Sequence, residues 1–192
     1  MRTTGLAVAV LASIVWLSPA PATAQGYIAP SLGTTFANPS AQGRADFVAD
    51  LGWLSRFEPL GVEFDAMYAP SFFGNQGPFG DNSVTTIMGN VIVAGHGGGR
   101  RGAGAVRPYV SGGIGIMNEV VTTTEPGDRI SNNDLGVNLG VGVMAFSRRS
   151  VGIRADVRYF RDLIDNQKNN RTTVDFGSFH FWRASIGVVL AF

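Results

Sequence analysis

The sequence predicts an all-β chain, a closed antiparallel up-and-down barrel of eight strands. Three observations predict it. Apolar residues recur at every second position after residue 24, with no sustained helical spacing, and period two is the mark of a strand with one buried face. Connections rich in Gly, Pro, Asn and Asp separate these segments and mostly alternate long and short, as a meander does when one end of the sheet carries variation. One face of each segment is bulky and uncharged, whereas the other holds glycines and the mid-strand charges.

The first 24 residues are expected to be a leader and not part of the fold. Arg2 supplies a positive start, Leu6 to Leu17 an apolar run, and Pro19 and Pro21 precede Ala22-Thr23-Ala24. That order predicts a secretory signal peptide over 1–24, cleaved before Gln25. The apolar run is too short for a membrane helix, which needs about 20 residues. Residues 25–192 then form one barrel domain, with no internal repeat and no linker.

Composition excludes several functions. The chain has 15 Lys and Arg against 14 Asp and Glu, and loss of Arg2 leaves the remainder neutral. Nucleic acid as a partner needs a basic excess, so none is expected. The chain contains 0 cysteines, which removes thiol redox chemistry and Cys-ligated metals. Its 26 glycines stand beside 45% hydrophobic residues, a balance that fits neither collagen nor a disordered chain.

The strands follow in order. Gly26–Phe36 opens the set with modest contrast between its faces. In "RADFVADLGWLS", Phe47, Ala49, Leu51 and Trp53 oppose Asp46, Val48, Asp50 and Gly52. In "LGVEFDAMYA", Leu60, Val62, Phe64, Ala66 and Tyr68 oppose Gly61, Glu63, Asp65 and Met67. Ser83–Gly95 and Val106–Val120 fit less sharply. "NDLGVNLGVGVMA" sets Leu135, Val137, Leu139, Val141 and Val143 against Gly136, Asn138, Gly140 and Gly142. "VGIRADVRYF" sets Val151, Ile153, Ala155, Val157 and Tyr159 against Gly152, Arg154, Asp156 and Arg158. The last strand, "FWRASIGVVLAF", carries Trp182, Ala184, Ile186, Val188, Leu190 and Phe192 on one face. Long connections are expected at Ala37–Gly43, Pro70–Asn82, Val121–Asn132 and Leu163–Phe179. Short ones fall at Arg56–Pro59 and Ser147–Arg149, and a glycine-rich turn at His96–Ala105.

Such alternation has two meanings. In a soluble barrel the apolar face turns inward; in a membrane barrel it meets lipid and the interior is polar. Eight strands enclose so narrow a lumen that side chains must fill it, and Gly, Ser and Asn with a few long charged residues suit that space. An Arg facing lipid at the midplane would cost about 2–4 kcal/mol. Asp46, Asp50, Glu63, Asp65, Arg154, Asp156, Arg158 and Arg183 are therefore expected inside, as a salt-bridged network that plugs the lumen and holds register. Asp50, Glu63 and Arg154 should share a low tier; Asp46, Arg158 and Arg183 a higher one. Aromatic residues gather at strand ends: Trp53, Phe57 and Phe192 at the short-turn end; Tyr68, Phe72, Phe73, Tyr159, Phe179 and Trp182 at the other. Two girdles at the water–lipid interfaces are expected of a transmembrane barrel. Backbone groups in hydrocarbon forbid an open edge, so the first and last strands must pair.

On these residues the chain resembles the small eight-stranded outer-membrane β-barrel proteins of Gram-negative bacteria, the OmpA/OmpX-like group of the porin family. "RPYVSGGIGI" (Arg107–Ile116) and "VGIRADVRYFRDL" (Val151–Leu163) are similar to the fifth and seventh strands of many such barrels. The resemblance implies a cell-surface protein of the outer membrane. It also implies that Phe192 is the signal read by the barrel-assembly machinery. Expected partners are outer-membrane lipid and lipopolysaccharide; the chain should be a monomer with no cofactor. The sequence lacks the peptidoglycan-binding domain of larger members, so that anchoring role does not carry over.

Other chemistry is thinly supported. Gly97 to Gly102 matches G-x-G-x-x-G, but a strand and not a helix follows, so a dinucleotide site is not expected. His180 near Ser178 and Asp175 raises a lipid-A-modifying esterase, although no spacing demands a triad. The exposed loop residues Phe72, Phe73 and Phe79 are candidate contacts for an unknown surface ligand, or simply rest on the membrane. The expected function is a non-enzymatic structural or surface-interaction barrel with four long extracellular loops. Its alternatives are a narrow channel for small solutes, the esterase, and a soluble periplasmic ligand-binding barrel.

Overall fold

Eight strands run in chain order around a closed barrel, each antiparallel to its neighbours. They are β1 (Ala24–Phe36), β2 (Ala45–Ser55), β3 (Leu60–Pro70), β4 (Phe79–Ala94), β5 (Ala105–Thr123), β6 (Arg129–Phe146), β7 (Val151–Asp162) and β8 (His180–Ala191). The computed structural model describes residues 24–36, 43–55, 59–73, 79–95, 105–123, 129–147, 150–163 and 179–192. The leader through Thr23, Phe57 and the glycine-rich stretch Gly97–Gly102 lie outside the described residues, as do Asp175 and Ser178. No helix among the described residues is long and apolar enough to cross a membrane, which says nothing of a strand-built crossing.

Period two survives in every strand. Along β2, Asp46, Val48, Asp50, Gly52 and Leu54 are buried, while Ala45, Phe47, Ala49 and Trp53 are exposed. Leu32, Phe64, Ile87, Ile114, Leu139, Ile153 and Ile186 all point outward, and Leu139 is 67% exposed. Glu63, inside, is 1% exposed. An outer wall of branched aliphatics around an ionic interior is the reverse of a water-soluble core, and it identifies hydrocarbon as the solvent of that wall.

Closure is completed by β1 on β8. Gly26 and Phe192 exchange both backbone hydrogen bonds, at 3.1 and 2.9 Å. The pairing continues through Ile28↔Leu190 and resumes at Ser31↔Gly187, skipping Ala29 and Pro30. Hydrogen-bonded pairs alternate along an antiparallel ladder, so stepping by two from Gly26 reaches Pro30 opposite Val188. Proline has no N–H to offer there.

Three strands outrun the sequence expectation. β4 begins at Phe79, β5 ends at Thr123 and β6 begins at Arg129, so the expected connections Pro70–Asn82 and Val121–Asn132 shorten. Polar side chains at these ends pair across strands: Asn118 Nδ2 donates to Asn133 Oδ1 at 2.7 Å and to Ser131 Oγ at 3.2 Å. The hairpin therefore continues as sheet beyond the apolar band.

Candidate functional site: the ionic lumen

The two-residue repeat of each strand sets the charges on one wall of the lumen. β7 supplies Arg154, Asp156 and Arg158; β3 Glu63 and Asp65; β2 Asp46 and Asp50; β8 Arg183. None of these eight is more than 4% exposed. Arg154 donates through Nη1 to Glu63 Oε2 at 2.5 Å and through Nη2 to Asp156 Oδ2 at 2.9 Å, with Asp50 3.6 Å away. Arg158 Nη2 donates to the other Glu63 oxygen at 2.5 Å and lies 3.3 Å from Asp156. Arg183 grips both oxygens of Asp65, at 3.1 and 2.5 Å. Glu63 thus bridges two arginines, and Arg158, 3.6 Å from Asp65, joins the lower tier to the upper. Interleaving of opposite charges lowers the cost of burying them, which would be severe for any one alone.

Neutral side chains complete the network. Tyr27 donates to Glu63 Oε2 at 2.5 Å and Tyr109 to Asp156 Oδ2 at 2.8 Å. Each tyrosine sits opposite a glycine in register, Tyr27 with Gly52 and Tyr109 with Gly142. A Cβ on either glycine would run into the ring lying over it. Arg154 rests between the two rings, 5.8 and 5.0 Å from their centroids, a cation–π arrangement that suits a desolvated guanidinium. Asn138 donates to Asn90 Oδ1 at 2.6 Å, Asn90 to Glu63 at 3.4 Å, and Ser185 to Asp156 at 3.0 Å. Every strand contributes at least one member.

Asp46 departs from the expectation. It is fully buried, yet no described donor reaches either carboxylate oxygen. It was expected to share a tier with Arg158 and Arg183. Arg183 is instead taken by Asp65 across the lumen, which presents two oxygens to the planar fork of the guanidinium.

Apolar layers lie on both sides of the charges. Toward the short turns are Leu54, Ile92, Met144 and Val189 with the two tyrosine rings. Toward the long connections are Met67, Met88, Met117, Phe72, Phe160, Phe179 and Phe181. Phe160 and Phe181 stack with centroids 4.9 Å apart, and Phe72 meets Phe181 edge-on at 5.2 Å. Arg183 lies 5.1 Å from the Phe160 ring, directly beneath this aromatic layer.

Phe72, Phe73 and Phe179 therefore correct the sequence reading. Phe72 is 0% exposed, and none of the three is a rim residue or an available loop contact. The turn after β3 folds Phe72 and Phe73 inward, and Phe179 enters from the start of β8. Ser71 adopts a left-handed backbone (φ 55), unusual for a residue with a Cβ. Asn82 holds the turn, accepting from Phe73 N at 2.9 Å through its side chain and from Ser71 N at 2.7 Å through its carbonyl. The Phe79 side chain lies outside the described residues. Trp53, Tyr68 and Trp182 do face outward near strand ends. His180 faces the same way, its ring centroid 6.1 Å from that of Tyr159. Among the described residues no cluster of three or more His, Asp or Glu has the geometry to hold a metal ion.

Sequence reasoning missed Tyr27, Tyr109, Asn90 and the inward phenylalanines. A signal was present: all but Phe72 and Phe73, which lie in a turn, fall on the inward parity of their strands. Weak contrast in β1, β4 and β5 hid it, because both faces there mix small and large residues.

The family model described as outer membrane protein beta-barrel domain matches residues 6–192. No curated protein sequence matches the chain. Among solved structures, neisserial surface protein A is similar at a TM-score of 0.58 and 15% identity, over 89% of this chain and 98% of that one. The N-terminal β-barrel domain of Pseudomonas aeruginosa OprF gives 0.56 and 17%, over 88% and 97%. Ail, the attachment invasion locus protein of Yersinia pestis, solved with the heparin analogue sucrose octasulfate, gives 0.51 and 13%, over 87% and 97%. These identities speak for the fold alone.

Proposed function

The chain belongs to the outer-membrane protein β-barrel family, and we propose from this that it is a non-enzymatic structural or surface-interaction barrel with a sealed lumen. Its place is the outer membrane. One observation carries the sealed reading: the charged layer, tied together from all eight strands, lies between two apolar layers. Past the charged mouths, an ion entering from either end would shed its water against hydrocarbon side chains before reaching the central charges. That barrier separates a plug from a pore lined by the same charges.

The long connections project from the cell and the short turns face the periplasm in this reading. Variation and binding concentrate on loops, so any surface partner is met there. Cleavage before Gln25 and recognition of Phe192 during assembly belong to the same reading. N-terminal sequencing of protein isolated from outer membranes tests the first, and assembly of a Phe192→Ala chain in cells tests the second.

Planar-bilayer recording of the purified, folded protein tests the seal. The expected trace is free of stable channel openings. Large, long-lived currents would replace the plug with the narrow-channel reading. Proteolysis of intact cells tests orientation, with cuts expected in the long connections and not the short ones.

A further inference from the structure

Among the side chains the structure describes, Arg161 is the one charged group on the outward face of the barrel. Every other charged side chain that the structure describes turns into the lumen or its mouths. Asp162, the nearest carboxylate in sequence, has the inward parity and accepts from Phe179 N at 3.1 Å. Register sets Arg161 beside His180, and two residues down it sets Tyr159 beside Trp182. Phe36 flanks Trp182 on the other side. The Tyr159 and Trp182 rings lie 5.2 Å apart. Below them the outer wall is apolar, through Val157, Leu139 and Ile186.

This arrangement has a direction. Aromatic rings mark the depth at which headgroups begin, so Arg161 and His180 stand at headgroup level at the long-connection end. A guanidinium there, with no outward carboxylate beside it among the described side chains, suits an anion supplied from the membrane. We propose that Arg161, with His180 beside it and the Phe36–Trp182–Tyr159 shelf beneath, binds a phosphate of the lipid A portion of lipopolysaccharide. The acyl chains lie along Val157, Leu139 and Ile186. Guanidinium suits this role because its planar fork takes two phosphate oxygens at once. The assignment to lipopolysaccharide rests on the orientation proposed above, which puts this end in the outer leaflet.

The experiment uses the purified full-length barrel in detergent, titrated with diphosphorylated or dephosphorylated lipid A and read by native mass spectrometry. Wild-type protein should prefer the diphosphorylated form by about tenfold, roughly the gain from one well-made charge-assisted pair. Arg161→Gln should abolish that preference and Arg161→Lys should keep part of it. All three are checked for folding by heat-modifiable gel mobility, and the exposed site makes misfolding unexpected. A wild type indifferent to the phosphates, or an Arg161→Gln barrel that keeps the preference, would overturn the inference. The titration does not depend on orientation in the cell. If proteolysis of intact cells cut the short connections instead, orientation and the lipopolysaccharide assignment would fall while the phosphate preference stood.

Discussion

Arg183 on β8 and Asp65 on β3 face each other across the lumen, with the guanidinium bonded to both carboxylate oxygens at 3.1 and 2.5 Å. The two strands are not neighbours in the sheet. The pair is thus a strut through the barrel, independent of the backbone ladder. Removing one partner strands a buried charge, which costs about 3–5 kcal/mol. Asp65→Leu alone should lower the unfolding free energy by that amount, measured by urea titration in lipid vesicles. Asp65→Leu with Arg183→Met should recover most of the loss, because an apolar pair of similar volume leaves no orphan. A double variant as weak as the single one would deny the strut.

The outward wall makes a depth-dependent prediction. Leu139→Arg, near the middle of the apolar band, should destabilise the folded barrel by about 2–4 kcal/mol. Val151→Arg, at the short-turn end, should cost at most about 1 kcal/mol. Equal penalties by the same titration would mean that the two positions do not differ in depth.

Tyr27 over Gly52 and Tyr109 over Gly142 leave no room for a methyl group. Gly52→Ala should displace the Tyr27 ring and cost about 1–3 kcal/mol, the usual penalty of overpacking. Gly89, outward-facing, has only one atom near its would-be Cβ, at 3.9 Å, and Gly89→Ala serves as the neutral comparison. The contrast between the two melting temperatures decides the point.

Phe72 belongs to the inner aromatic layer and not to a mobile loop surface. Phe72→Ala should destabilise by about 3–5 kcal/mol, as for a buried aromatic in a packed core. An exposed loop residue would change stability by under about 0.5 kcal/mol.

Pro30 interrupts the closing ladder opposite Val188. Pro30→Ala supplies the absent N–H inside hydrocarbon, where an unmet backbone group costs several kcal/mol. Part of that gain is offset by about 0.4–1 kcal/mol of added freedom in the unfolded chain. The variant should come out more stable, and amide exchange should find the new N–H protected. Rapid exchange at residue 30 would contradict it.

Facing direction was decided by sequence alone, since parity is a local property of an extended chain. Leu139 and Val188 look out and Glu63 and Arg158 look in, as the alternation of bulk and charge requires. Once a charge is known to be inward, lipid on the other face makes closure of β1 on β8 compulsory. Which inward residues meet is a different matter. Partners across a lumen depend on strand tilt and stagger, which relate residues on β3, β7 and β8 through the circumference of the barrel and not through a repeat of two. Hence Arg183 took Asp65, and Asp46 received no described donor. Phe72 and Phe73 turned inward for a similar reason: one left-handed residue, Ser71, and an Asn82 clamp from the next strand reversed the chain where period two has nothing to say.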